Sequence, residues 1–407
     1  MPYDFLAKAE AVEKDVIAWR RRFHENPELG FEERETAAFI TERLKEFGYS
    51  PRCIGGTGVA ADLVGTKTSD DKPGITLGLR ADIDALPGEE KTGLPFASKK
   101  PGVMHSCGHD AHGAILLGVA KVLAECKDSF TGKIKFFFQP AEEILGGAKT
   151  FVDAGELDDV DGLAALHVMT DLEVGHVGCR EGVALAATDT LTITVSGKAA
   201  HGAQPHRGND AIVAAAHIVT ALQSVVSRTV SPLDSVVLTI GKIEGGFAPN
   251  VIPANATLRG TLRSLKSETR ATVISRMHEI VEHTAKALGC EATLEVFEGT
   301  PPLYCDAAWV ERFVNVAKRY VPEERIHHIA EPSMGGEDFA FMLQKAPGVF
   351  WRLGVRTEGA ERTNAHSPYF MIDESAFKYG VAIASALAVE ALQSPCKTKT
   401  DKKRPAI

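Results

Sequence analysis

Apolar residues recur at helical spacing from the start: Phe5, Ala9, Val12, Val16 and Trp19 form one stripe between charges, predicting an amphipathic helix over Asp4 to Phe23. Pro27 interrupts it, and helical spacing resumes from Thr36 to Phe47 and stops at Gly48. Short β-type runs follow at Val59 to Val64 and Ile75 to Ile83. Small and apolar residues from Ala114 to Ala124 then predict a buried crossover helix. Lys133 to Phe138 reads as a strand closed by Pro140, and Gly162 to Leu166 as another that stops at His167.

From Thr188 the pattern changes. Leu191, Ile193 and Val195 alternate with Thr190, Thr192, Thr194 and Ser196, predicting a half-buried strand. Ile212, Val213, Ala216, Val219, Leu222 and Val226 return to helical spacing, with Asn209 and Asp210 in the capping region. Strands at Val236 to Ile240 and Thr257 to Leu262, a helix carrying Val273, Met277, Ile280, Val281 and Leu288, and an alternating run around Ala292, Leu294 and Val296 follow. The order β-α-β-β-α-β is the ferredoxin-like motif, a self-contained unit of about 110 residues. The expected organisation is therefore an α/β domain over residues 1–187 and 299–393, an inserted ferredoxin-like α+β domain over 188–298, and a lysine-rich, frayed tail over 394–407. The returning half supplies a helix over Trp309 to Tyr320, a strand over Gly348 to Gly354 and a last helix from Ser375 to Leu392.

Composition narrows the function. The 407 residues, 44% hydrophobic and 24% charged, can bury one large core and a second, smaller one. The balance of 45 Lys and Arg against 54 Asp and Glu gives −9, with no long basic run to favour nucleic acid or an anionic membrane. The 7 cysteines are odd in number and scattered, as reduced thiols would be. No signal-like opening and no apolar run approaching about 20 residues is evident, so the expected address is the cytoplasm.

Candidate chemistry concentrates in Met104-His105-Ser106-Cys107-Gly108-His109-Asp110-Ala111-His112-Gly113. Cys107 and His109, one residue apart in a turn before a helix, can both point at one divalent ion; the plain alternative is a buried cysteine beside surface histidines. Asp82 and Asp84 close a strand, where an α/β sheet binds ligands and where turn carboxylates are also common. Glu142 and Glu143 sit on a strand exit. A hydrolytic metal site needs one carboxylate to hold an ion and another to take the proton from water, whereas a solvated acidic pair needs neither. His167 at a strand end, His201 in a loop and Arg263 on a strand all have ordinary structural readings.

The ordered set ADIDALP, HSCGHDAHG, QPAEE, His167, GKAAHGAQPHRGNDA, APNVIP, GGEDFA and NAHSP resembles the clan of binuclear metallopeptidases that contains the aminoacylases and glutamate carboxypeptidases. More narrowly it is similar to the amidohydrolase branch, with its hippurate hydrolases, bacterial aminoacylases and auxin-conjugate hydrolases; the likeness runs from His24 to about Asp373. It implies a zinc-peptidase-like catalytic domain, with a central mixed sheet flanked by helices, and an inserted lid or dimerisation domain. It implies that Cys107, His109, Glu143, His167 and His366 hold two divalent ions and that Glu142 is the general base. His201 would hold the oxyanion, in related enzymes from the neighbouring subunit, and Asn250 and Arg263 would bind the substrate carboxylate. The implied activity is metal-dependent hydrolysis of N-acyl-amino acids to a carboxylic acid and a free amino acid, with a di- or carboxypeptidase, or a non-catalytic metal-stabilised binding protein, as alternatives. Zn or Mn, with Co or Ni also compatible, would serve, and the chain would be a homodimer or higher oligomer through the inserted domain. Other branches place a metal-binding histidine where this chain has Asp82; Asp84 is expected to orient a ligand, and the roles of Asp82, Asp110 and His112 stay open.

Overall fold

The computed structural model describes residues 3–67 and 74–394. Cys396 and the tail beyond Ser394 lie outside the described residues. In chain order the elements are α1 (Phe5–Glu25), α2 (Arg34–Glu46), β1 (Arg52–Ile54), β2 (Gly58–Val64), β3 (Thr76–Asp82), α3 (His109–Ala124), β4 (Lys133–Gln139), α4 (Gly147–Asp153), β5 (Gly162–Glu173) and β6 (Val177–Cys179). Then come β7 (Ala187–Ser196), β8 (Ala200–His201), α5 (Ala211–Ser224), β9 (Val236–Gly245), β10 (Val251–Ile252), β11 (Asn255–Ser264), α6 (Ser267–Ala287) and β12 (Glu291–Glu298). The chain closes with α7 (Ala307–Ala317), β13 (Ile326–His328), α8 (Phe339–Leu343), β14 (Gly348–Arg356) and α9 (Phe377–Gln393).

Two compact units result. The first takes in the chain up to Ala184, Tyr304–Glu331 and the stretch from Asp338 through α9; the second comprises Leu185–Leu303 and Pro332–Glu337. The first is built on an eight-stranded mixed sheet in the order β1-β2-β4-β3-β5-β14-β6-β13. Its centre is parallel, β3 pairing with β4 and β5, and β5 with β14, while β1, β2 and β6 bring antiparallel pairings. All seven residues of β3 are buried, as in a parallel strand covered on both faces. Helices α3 and α9 lie against β3, α1 packs on both, and α4 and α8 lie against β4 and β5.

In the second unit β7, α5, β9, β11, α6 and β12 form an antiparallel sheet in the order β9-β11-β7-β12 carrying two helices, the ferredoxin-like arrangement. Leu191, Ile193 and Val195 of β7 meet Ala214, Ile218 and Leu222 of α5 and Val273, Met277 and Val281 of α6. Asp210 caps α5 by accepting from the backbone N–H groups of Ile212 and Val213.

Three readings of the sequence need correction. Helix α3 begins at His109, five residues earlier than the apolar spacing implies, because its first turn is filled by buried polar side chains. Strand β5 runs through His167 to Glu173; what ends at Ala165 is its pairing with β3, while β14 stays beside it. Two helical stretches, Ala211–Thr229 and Glu374–Gln393, are long and apolar enough by length and composition to cross a membrane, although the second is largely buried against the first unit's own core.

Candidate metal centre

Every expected metal ligand lies in the first unit. Gly108, with φ +92°, is the residue before α3, and a Cβ there would come within 2.3 Å of Val168 Cγ2. Only glycine meets both conditions, so Cys107 and His109 flank a backbone turn that no other residue fits. His109 Nδ1 lies 3.1 Å from both the carbonyl and Oδ1 of Asp84; those oxygens accept, so Nδ1 carries a proton and Nε2 is the ring nitrogen left to face an ion. Asp84 Oδ2 also accepts the Glu143 N–H at 3.0 Å, so one carboxylate sets both His109 and the glutamate loop.

That loop is held in an unusual conformation. Ala141 and Leu145, on either side of the glutamate pair, have φ of 53° and 58°. Left-handed backbone costs a non-glycine residue about 1–3 kcal/mol and persists only where neighbours over-determine it. Here Glu33 Oε1 accepts the Ala141 N–H at 2.9 Å, and its Oε2 accepts the Thr57 hydroxyl at 2.6 Å. Burial pushes the Glu33 carboxyl up to about 7. His366 is likewise left-handed, at φ 63°, and its N–H donates to Ser106 O at 2.8 Å, beside Cys107.

These constraints gather donors from four separated segments. Cys107 Sγ is 3.5 Å from His167 Nε2, His366 Nε2 is 3.4 Å from Glu143 Oε1, and His109 Nε2 is 3.8 Å from that same oxygen. Two overlapping groups share the thiol: Cys107, His109 and His167, and Cys107, Glu143 and His366, the donor atoms of each lying within 4.8 Å of one another. A further group joins Glu142 to His109 and Glu143. The donor set fits a divalent cation pair. His109 Nε2 and Glu143 Oε1 are buried polar atoms with no hydrogen-bond partner, an arrangement that is costly unless something else satisfies them. Thiolate, imidazole and carboxylate are also the ligand types such ions take.

The electrostatics of the cluster follow from burial and from the charges it gathers. Burial pushes the Cys107 thiol up, against the pull of His109. Burial alone would lower His109, but Asp82 and Cys107 outweigh it and hold the imidazole well above its ordinary value. Burial, reinforced by His112, holds His167 well below its ordinary value. Glu143 is lowered, since His366 and His109 together outweigh its burial.

The open residues of the first unit now have partners. Asp82 takes the guanidinium of Arg80 at 2.8 Å and Nδ1 of His112 at 2.5 Å. Asp110 accepts from Arg20 Nε at 2.8 Å and His24 Nδ1 at 2.7 Å, tying α1 to the first turn of α3. Sequence reasoning passed over Arg80, Glu33 and Asp338. The Asp338 carboxylate takes Arg80 at 3.1 Å, Gln139 Nε2 at 2.7 Å and the Ala148 N–H at 2.9 Å. For Arg80 the signal was a charge inside an apolar run: Arg80 and Asp82 share one face of β3 with Gly78 and Thr76, and they are the charged residues of that strand.

His201, Asn250 and Arg263 belong to the second unit. His201 is exposed on β8, which pairs with β10 in the register His201↔Val251, and the Gly202 N–H donates to Asn250 O at 2.7 Å. Those two are neighbours. Arg263 lies apart from them on β11, opposite Thr188 of β7 and Val237 of β9, and burial lowers its pKa.

Residues 78–390 match the family described as peptidase family M20/M25/M40. The chain is 44% identical over 367 residues to an N-acetyl-L-cysteine deacetylase of Bacillus subtilis, covering 90% of this chain and 85% of that one. It is 38% identical over 402 residues to an IAA-amino acid hydrolase of Arabidopsis thaliana, covering 96% and 89%. Among solved structures, a Bacillus subtilis protein described as a dinuclear metal binding peptidase of the M20 family superposes with a TM-score of 0.81 at 35% identity, over 94% of this chain and 99% of that one. With a match across most of its length and a relative of this identity, the chain belongs to peptidase family M20/M25/M40.

Proposed function

We propose that the protein is a metal-dependent amidohydrolase that cleaves the amide bond of N-acyl-amino acids, releasing a carboxylic acid and a free amino acid. The observation that carries this is the convergence on Cys107 of His109, Glu143, His167 and His366, with Glu142 alongside. Relatives whose names specify an N-acetylated or conjugated amino acid support the substrate class.

Cys107, His109, Glu143, His167 and His366 would hold two divalent cations, Zn or Mn in the first instance with Co or Ni compatible; such ions, when bound, acidify water and polarise a carbonyl. Glu142 takes the proton from the attacking water and delivers it to the departing amine. Its burial, 7% exposed, favours that shuttle by keeping bulk water from competing for the proton. Asp84 holds the His109 ring and the Glu143 backbone in place through the bonds described above. To His201 we assign stabilisation of the developing oxyanion, a donor of that kind being worth about 3 kcal/mol. To Asn250 and Arg263 we assign the substrate carboxylate, which a planar guanidinium meets with two hydrogen bonds. These three assignments rest on the family resemblance, as does a homodimer or higher oligomer formed through the second unit; a cytoplasmic setting is proposed from the sequence pattern alone.

The test is amide cleavage on a panel of N-acetyl- and N-benzoyl-amino acids and dipeptides after reconstitution with Mn²⁺ or Zn²⁺. The reading predicts turnover that a chelator removes, with acylated amino acids preferred over dipeptides. No turnover on any acylated amino acid at full metal loading would overturn it.

A further inference from the structure

His112 is 1% exposed and stands three residues after His109, and His109, His112 and Asp82 offer ligand atoms within 4.8 Å of one another. Its hydrogen bonds give it a different task. The Val168 N–H donates to His112 Nε2 at 2.9 Å. That nitrogen is therefore an acceptor, and the proton sits on Nδ1, which donates to Asp82 Oδ1. Both ring nitrogens are committed, and neither is left to hold an ion.

The bond to Val168 is available because of the sheet. Strands β3 and β5 pair as far as Arg80↔Ala165 and then part, while β14 remains beside β5 at Leu353↔Val168. His112 takes a backbone donor that β3 has ceased to cover. The other end of the same residue acts on the neighbouring side chain: Val168 O accepts from His167 Nδ1 at 2.7 Å. A carbonyl can only accept, so His167 carries its proton on Nδ1 and turns Nε2 toward Cys107 Sγ. The ring centroids of His112 and His167 are 4.6 Å apart in an edge-to-face arrangement, which fixes the second ring sterically as well.

From this geometry we propose that Arg80, Asp82 and His112 form a buried positioning relay for His167, acting through the backbone of Val168. Arg80 holds Asp82 at 2.8 Å, Asp82 fixes the His112 tautomer, and His112 fixes the Val168 backbone. Val168 in turn sets both the rotamer and the tautomer of His167. The proposal rests on the reading of His167 as a metal ligand and adds to it the device that presents the correct nitrogen.

Two measurements test it. In the metal-free protein at neutral pH, long-range proton–nitrogen correlation of ¹⁵N-labelled imidazoles should find His112 and His167 both protonated on Nδ1; a His112 protonated on Nε2 would overturn the relay. The second measurement is Zn²⁺ binding by competition with a chromogenic chelator. His112→Phe keeps the ring's footprint and removes both bonds, and should weaken one of two Zn²⁺ sites by about 10- to 100-fold while sparing the other, with near-UV circular dichroism unchanged. His167→Ala separates the two ideas. If it binds both ions with wild-type affinity, the ligand assignment falls; if it loses one while folded His112→Phe binds both like wild type, the ligand assignment stands and the relay falls. Should His112→Phe not fold, the tautomer measurement on the wild-type chain decides.

Discussion

Gly108→Ala separates the backbone requirement of the turn between Cys107 and His109 from its packing requirement. Gly108 has φ +92°, and an added Cβ would sit 2.3 Å from Val168 Cγ2, where real Cβ contacts do not fall below 3.0 Å. Something must move by about 0.7 Å or more, and Val168 is held on both sides by β14 and His112. Left-handed backbone costs an alanine about 1–2 kcal/mol. Overpacking in a filled core adds about 1–3 kcal/mol, giving about 2–5 kcal/mol in all. Gly102→Ala is the control, since Gly102 has φ +76° with nothing within 4 Å of the added Cβ, so only the backbone cost of about 1–2 kcal/mol applies. Urea unfolding followed by tryptophan fluorescence, with Trp19, Trp309 and Trp351 all in the first unit, compares the two. Because Cys107 and His109 flank the glycine, Gly108→Ala should also weaken metal binding, and Gly102→Ala should not. Equal destabilisation by both variants, with metal affinity intact in each, would refute the packing argument.

Three other outcomes are expected. Glu142→Gln should abolish turnover while metal content, measured by atomic emission, stays at the wild-type value; surviving activity would remove Glu142 from its role. Arg20→Leu should cost about 3–5 kcal/mol in urea unfolding, because it leaves Asp110 buried without its guanidinium partner. The Glu33 carboxyl, raised by burial from 4.5 to about 7, binds its proton more tightly folded than unfolded. Its contribution is therefore complete below pH 4.5 and is lost as pH rises to about 7, a change of about 3 kcal/mol. Glu33→Gln keeps the acceptor for the Ala141 N–H and should flatten that part of the stability–pH curve; an unchanged slope would assign it to another group.

Much of the fold was legible because it is written in periodicity. Strands β7 and β11 and helix α6 fall where alternation and helical spacing place them, since one face of each meets a core. Helix α5 also forms where its spacing places it, but the face that meets the core is Ala211, Ala214, Ala215, Ile218 and Leu222, and Ile212, Val213 and Ala216 of the expected stripe are exposed. Legibility failed where a buried position is polar. Helix α3 opens with His109, Asp110 and His112, all buried, and a hydrophobic count does not register them. For β5, alternation says which face is covered but not which neighbour stops, so the parting of β3 at Ala165 read as the strand's end. At the site, residue chemistry alone marked Cys107, His109 and the glutamate pair as candidates. The division of labour between Glu142 and Glu143 needed the family resemblance; Asp84 was expected to orient a ligand, and the hydrogen bonds say which one, while His112 and Arg80 needed those bonds to be assigned at all. Short β segments such as β6 and β13 left no sequence signal because three residues are too few to show a period.

The central claim is that side chains from Cys107 to His366 converge on one pair of cations. Anomalous X-ray diffraction from crystals of the metal-reconstituted protein tests it directly. The account predicts two peaks per chain, one bordered by Cys107, His109 and His167 and the other by Cys107, Glu143 and His366. A single peak, or peaks remote from the Cys107 thiol, would contradict it.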